Sequence, residues 1–196
     1  MAYHLYRTVG FVFGSSAFGE ADKTYTIFSK DLGFITASAK SVRLLASKLR
    51  AHLDDFSLTE LSLIRGKDRW KITGANSLSN LFRDLEKEQE KRALCARVFA
   101  LLKKVLGGEE KNEELFSILS EGFSDLRKGE LLKEELLIFE CVLLQRILDN
   151  LGYLKFNPKT EDVLKGEIDS DMIRRAAKKK TILLKDINEA LRASEG

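Results

Sequence analysis

The chain has 196 residues, 44% of them hydrophobic and 32% charged, with a formal net charge of +3. That is the composition of a globular protein with a real core and one or two small domains. No apolar run nears the roughly 20 residues needed to cross a bilayer, and no basic region followed by an apolar stretch marks a secretory signal, so the expected location is the cytoplasm with no membrane partner.

The first 75 residues carry strand signals. Tyr3, Leu5, Val9, Phe11 and Phe13 fall on one parity, interrupted by Arg7, which predicts a half-buried strand ended by Gly14-Ser15-Ser16. Residues 23–29 are rich in Thr, Tyr, Ile and Phe and predict a second strand; Asp31-Leu32-Gly33 supplies a turn, and residues 34–39 a third strand. Residues 57–64 and 70–73 predict the fourth and fifth, joined by the turn Arg65-Gly66-Lys67-Asp68. Five short strands with close turns predict a small barrel, whose closure removes exposed sheet edges. Between the third and fourth strands runs a long loop carrying Lys40, Arg43, Lys48 and Arg50, with no acid before Asp54. Loops of that length in a compact domain are functional or mobile.

After about residue 77 the period becomes helical. Leu81, Phe82, Leu85, Leu94, Val98, Phe99, Leu102 and Val105 form one run, ended by Gly107-Gly108. Asn112 is placed to cap a second helix bearing Leu115, Phe116, Leu119, Phe123 and Leu126. A third, over residues 130–151, is apolar all round its middle and belongs at the centre of a bundle; Gly152 and Pro158 close it. Shorter helices follow over 171–179 and 184–191, with Asp169 or Ser170 as a cap. The expected architecture is α+β, with a barrel domain over residues 1–76 and an all-α domain over 77–196.

The charge is divided unevenly between these halves. Residues 1–75 hold 11 Lys and Arg against 7 Asp and Glu, while residues 76–196 hold 22 against 23. A basic N-terminal module suits a polyanion, although charge alone is explained as well by an ordinary solvated surface. Chemistry-bearing motifs are missing. Cys95 and Cys141 lack metal-ligand spacing and read as buried reduced thiols, and His4 and His52 have no ligand neighbours, so no metal and no cofactor are expected. No phosphate-binding loop, dinucleotide fingerprint or nucleophile elbow occurs, and the protein does not read as an enzyme. Glu20 and Asp22 lie two apart at a bend, where carboxylates hold backbone N–H groups more often than they catalyse.

The order of signals carries a resemblance. Phe18-Gly-Glu-Ala-Asp-Lys-Thr-Tyr-Thr-Ile-Phe-Ser-Lys-Asp-Leu-Gly33, then Ile35-Thr-Ala-Ser-Ala-Lys40, Ser47-Lys48-Leu49 and Phe56-Ser-Leu-Thr-Glu-Leu61 resemble the N-terminal domain of the bacterial recombination mediator family RecO. Phe139-Glu-Cys-Val-Leu-Leu144 followed by Leu151-Gly-Tyr153 is similar to that family's long helix and its end. The resemblance covers about residues 5–156. Many members place a zinc-binding cysteine cluster after this point; here residues 154–166 contain no Cys, so the zinc role is not carried over.

The resemblance implies an OB-fold barrel that binds single- and double-stranded DNA, anneals complementary strands and works with RecR and the single-strand-binding protein SSB, in the cytoplasm at the nucleoid. The candidate phosphate contacts are Lys40, Arg43, Lys48 and Arg50 on the long loop, with Arg65, Lys67, Arg69 and Lys71 around the last hairpin. Trp70 either stacks a base or fills the barrel core; its place in a strand favours the core, and so do those of Tyr25 and Phe34. A second basic cluster, Arg174, Arg175, Lys178, Lys179 and Lys180, serves DNA contact, capture of SSB's acidic C-terminal tail beside an apolar pocket, or only a solvated face. The alternatives are an OB-fold RNA-binding protein and a scaffold that docks a protein partner without touching DNA.

Overall fold

The computed structural model describes residues 4–194; Tyr3, first in the alternating run, lies outside them. The chain divides into two compact units: one up to Glu86 together with Phe99–Glu113, the other Lys87–Val98 together with the residues from Glu114 onward.

The first unit is built on five strands: β1 (Leu5–Phe18), β2 (Asp22–Ser29), β3 (Gly33–Ala39), β4 (Ser57–Arg65) and β5 (Trp70–Asn80). They close in the order β1-β2-β3-β5-β4. Every neighbouring pair is antiparallel except β3 and β5, which run parallel through Ala37↔Trp70 and Ser38↔Lys71. This is the five-stranded OB arrangement expected from the sequence.

Two strands run further than their residues suggest. β1 does not stop at Gly14. A bulge between Val12 and Gly14 shifts its register, and pairing with β2 continues to Phe18↔Asp22. β5 runs on to Asn80 because β4 continues to offer it partners, from Arg65↔Trp70 to Ser57↔Asn80. Ladder pairing here overrides the weak strand propensity of Gly74-Ala75-Asn76-Ser77.

The phenylalanine parity of β1 also faces away from the barrel interior. The interior is filled from the other parity and from the remaining strands, by Val12, Tyr25, Ile27, Ile35, Leu63 and Trp70 among others. Phe13 meets Phe99 edge-on at 4.6 Å and Phe34 at 5.6 Å, and Phe99 also meets Phe56 at 5.2 Å. A second apolar layer thus lies on the barrel's outer wall. Its close approach is fixed at Gly33, which has φ +70°; a Cβ there would lie 2.3 Å from the Glu110 carbonyl oxygen. Neither the left-handed backbone nor the space admits a side chain.

The long loop after β3 caps the barrel. Val42 and Leu53 are buried in the interior cluster. The Ser41 N–H donates to the Asp22 carboxylate (2.7 Å), and the Arg43 N–H to the Ala21 carbonyl (2.9 Å).

The expected helical run over 81–105 is interrupted. α1 (Leu81–Asp84) is a single turn capped by the Asn80 side chain, which accepts from the Arg83 N–H (3.0 Å); α2 begins afresh at Gln89 and ends at Val105. α3 (Glu113–Lys128), α4 (Lys133–Asn150), α5 (Ser170–Ala177) and α6 (Lys180–Ser194) follow. α4 packs against α5 and α6, with Ile138, Phe139, Val142, Leu143, Ile147 and Leu148 buried, as an all-round apolar helix requires. Leu151-Gly152-Tyr153 ends it with a Schellman cap. Gly152, at φ +75°, donates to the Asp149 carbonyl and Tyr153 to that of Leu148, both at 2.9 Å. Asp169 caps α5 by accepting from the Met172 N–H (2.8 Å).

Candidate nucleic-acid interface

The outer face of β2 and β3 is lined with hydroxyls. Inward residues Tyr25, Ile27, Ile35 and Ala37 are buried, which turns Thr24, Thr26, Thr36 and Ser38 outward. Register sets them in opposed pairs, Thr24↔Ser38 and Thr26↔Thr36. Lys71 joins this row from β5, opposite Ser38.

Two turns flank the strip. The β1–β2 turn is Gly19-Glu20-Ala21, and the β4–β5 turn is Gly66 to Arg69. Arg69 leaves the second turn to reach the first: its guanidinium lies 4.9 Å from the Phe18 ring centroid and approaches Thr24 Oγ1 at 3.4 Å. Arg43 arrives from the long loop and donates to the carbonyls of Gly19 (3.3 Å) and Glu20 (2.9 Å). Asp22 acts as the sequence suggests, its carboxylate accepting a backbone N–H; at Glu20 the contact is different, its backbone carbonyl accepting from the Arg43 guanidinium.

The structure therefore gathers part of the candidate set. Arg43 and Arg69 meet at the first turn, Lys71 stands in the hydroxyl row, and Lys40 follows directly on β3. Lys40, Lys48, Arg50 and Lys67 are exposed. Arg65 is drawn elsewhere. It donates to both carboxylate oxygens of Glu109 (2.7 and 2.5 Å) and lies 4.8 Å over the Trp70 ring, so a phosphate would have to displace Glu109. Trp70 is only 5% exposed and meets Tyr6 edge-on at 5.0 Å, so it fills the core and does not stack bases. A ring accessible beside the strip is Phe18, 51% exposed at the end of β1. Gly14-Ser15-Ser16 reads as the end of β1 in the sequence and hides this ring; the bulge carries the strand on and turns Phe18 to the strip.

The second basic cluster is divided because the helix expected over 171–179 ends at Ala177: Arg174 and Arg175 lie on α5, Lys178 and Lys179 in the turn, and Lys180 starts α6. Arg174 and Lys180 stand on the rim of a cavity of about 900 Å³ in the helical unit, floored by Leu94, Leu137, Ile138, Ile173 and Ala177. Arg97, which the sequence did not single out, shares that rim and is held by Glu140 through two 2.6 Å bonds. Arg174 pairs with Asp171 at 3.1 Å. Lys179 points into a different depression, bonded to Asp162 (2.5 Å), Arg175 lies against the Met172 sulfur, and Lys178 is exposed.

Among the described residues no group of three or more His, Cys, Asp or Glu is placed to hold a metal ion, and no helix is long and apolar enough to cross a membrane. Cys95 and Cys141 are free and buried, and burial pushes their thiols up to about 12 and about 11.

Residues 1–81 match the family described as Recombination protein O N terminal. The chain belongs to the RecO family. It is 32% identical to a DNA repair protein RecO of Rubrobacter xylanophilus over 64% of this chain and 50% of the relative. For the RecO of Alkaliphilus metalliredigens the identity is 28%, over 72% and 57%; for that of a Dehalococcoides mccartyi strain it is 31%, over 72% and 55%. The chain spans about half the length of the curated relatives it matches. The zinc that the RecO resemblance implies for many members does not fit here, since residues 154–166 hold no Cys. A guanidinium holds that segment instead. Arg146 of α4 donates to the carbonyls of Val163 (2.8 Å), Gly166 (2.8 Å) and Lys165 (3.2 Å).

Proposed function

We propose that this protein binds single- and double-stranded DNA through its barrel and promotes annealing of complementary strands in DNA repair and recombination, working with RecR and SSB. Its relatives bear the name DNA repair protein RecO. The observation that carries the reading is the hydroxyl strip of β2 and β3, bordered by Arg43, Arg69, Lys71 and Lys40 and ending at the exposed Phe18.

Each part of that strip addresses something all strands share. Cations and hydroxyls contact phosphates and sugars, which position a strand without reading it. The Phe18 ring, with Arg69 over it, offers a π-face on which any base stacks. Annealing needs two strands held with reduced repulsion while their base edges stay free to pair, and a diffuse basic surface does this without bond-making chemistry. Little sequence preference is expected. The groove of the helical unit has an apolar floor and carries Lys133, Arg174 and Lys180 alongside Glu90, Glu134 and Glu135, so a tail such as that of SSB would seat its apolar residues on the floor and its acids on the Arg174 and Lys180 side.

The test is annealing of complementary oligonucleotides coated with SSB. The intact protein should accelerate it, a Lys40→Ala/Lys48→Ala/Arg69→Ala variant should not, and an Arg174→Glu/Lys180→Glu variant should fail only when SSB is present. No acceleration by the intact protein refutes the proposal.

A further inference from the structure

The loop between β3 and β4 presents two adjacent leucines to solvent: Leu44 is 53% exposed and Leu45 is 91% exposed. Single exposed leucines are ordinary on any surface, but a fixed apolar pair at a loop tip is not. The tip is held from both sides. Val42 before it and Leu53 after it are buried in the barrel core. Ser41 is tied to Asp22, and Arg43 to Gly19, Glu20 and Ala21. The turn itself is closed by the Leu44 N–H donating to the Ser41 carbonyl and the Ser47 N–H to that of Leu44, both at 3.1 Å. Leu45 is left almost fully uncovered and Leu44 half covered by the described residues, and the backbone holds the tip outward.

The charge around the tip decides its occupant. Lys40, Arg43, Lys48 and Arg50 flank the leucines along the chain, and no acid falls between Asp31 and Asp54. A mainly cationic rim around an apolar point, with Glu20 and Asp22 at the β1–β2 turn beside Arg43 and Ser41 on one side, complements a polyanion with an apolar layer beneath its charges, and stacked bases below phosphates are such a layer. Leucine is also among the side chains that proteins insert between base steps, unstacking them while cations hold the backbone.

We propose that Leu44 and Leu45 form a wedge that opens the base stack of DNA bound by the flanking cations, freeing bases to exchange partners. The inference rests on the DNA binding proposed above and assigns that surface a second task. An anionic bilayer shares part of the chemistry, and the experiment separates the two.

The full chain and a Leu44→Ala/Leu45→Ala variant are titrated onto duplex and single-stranded oligonucleotides carrying 2-aminopurine, which brightens when unstacked. Both leucines are exposed, so the variant should melt as the parent does. The intact protein should raise the fluorescence by about twofold or more at saturation; the variant should bind within about threefold of the parent's affinity yet lose most of the rise. An equal rise for both proteins overturns the wedge and leaves salt-dependent DNA binding standing. Loss of binding to phosphatidylserine vesicles in the variant, with the fluorescence rise unchanged, overturns it in favour of a membrane contact. Absence of any DNA binding by the intact protein overturns both the wedge and the reading beneath it.

Discussion

Replacing Arg146 by Met tests how a segment without cysteines is held. Arg146 is only 7% exposed, and burial lowers its pKa, so the guanidinium sits where charge is costly. Its three carbonyl bonds and the nearby Asp125 and Glu121 offset that cost. Asp125 also accepts from the Ile168 N–H (3.2 Å), so the acid and the base hold the same stretch of chain. Hydrogen bonds to a charged group contribute about 1.5–3 kcal/mol each. Three of them, less the desolvation the guanidinium no longer suffers, leave about 3–5 kcal/mol, the usual cost of removing one partner of a buried charged network. Urea unfolding should show that loss, with faster proteolysis within residues 154–168. Arg146→Lys should recover only part of it, because an ammonium cannot serve three carbonyls in the guanidinium plane. Chelators should leave the melting point unchanged. A Met variant within about 1 kcal/mol of the parent would refute the reasoning.

Gly33→Ala should destabilise the barrel unit by about 2 kcal/mol or more, because it combines left-handed backbone with a clash against the Glu110 main chain; urea midpoints check this. Trp70, the chain's single tryptophan, should resist acrylamide quenching in the native state, and its emission should not shift directly on DNA binding. Cys95 and Cys141, with thiols raised far above neutral pH by burial, should react with a disulfide reagent at pH 8 only after unfolding.

The barrel is legible in the sequence because its strands are rich in β-branched and aromatic residues and most are separated by Gly-containing turns. The loop's cations and the central helix α4 are equally plain. The facing of β1 is not. Phe11 and Phe13 mark an apolar face correctly, but β1 is apolar on both sides, and parity cannot say which side is interior. The bulge at Gly14 is invisible for a related reason: Gly-Ser-Ser is turn chemistry until a partner strand claims it. The exposure of Phe18, which depends on that bulge, is equally hidden. The basic cluster near Arg174 looks continuous in one dimension, yet α5 ends at Ala177, so Arg174 lines one cavity from the helix and Lys179, in the turn before α6, lines another. Nor does the sequence show that Glu109 takes Arg65, since the two lie 44 residues apart.

The salt dependence of strand binding tests the central claim most directly. Anisotropy of a labelled single-stranded oligonucleotide, measured over a range of KCl, gives log affinity against log salt, with each neutralised phosphate contributing about −0.7 to the slope. Four to six contacts on the barrel predict a slope of about −3 to −4. Lys40→Ala, Arg69→Ala and Lys71→Ala together should bring it about 2 nearer zero, with equal affinity lost for unrelated sequences, while Arg65→Ala should change it little. Binding that is absent, indifferent to salt, or unaltered by the triple substitution would contradict a DNA-binding barrel.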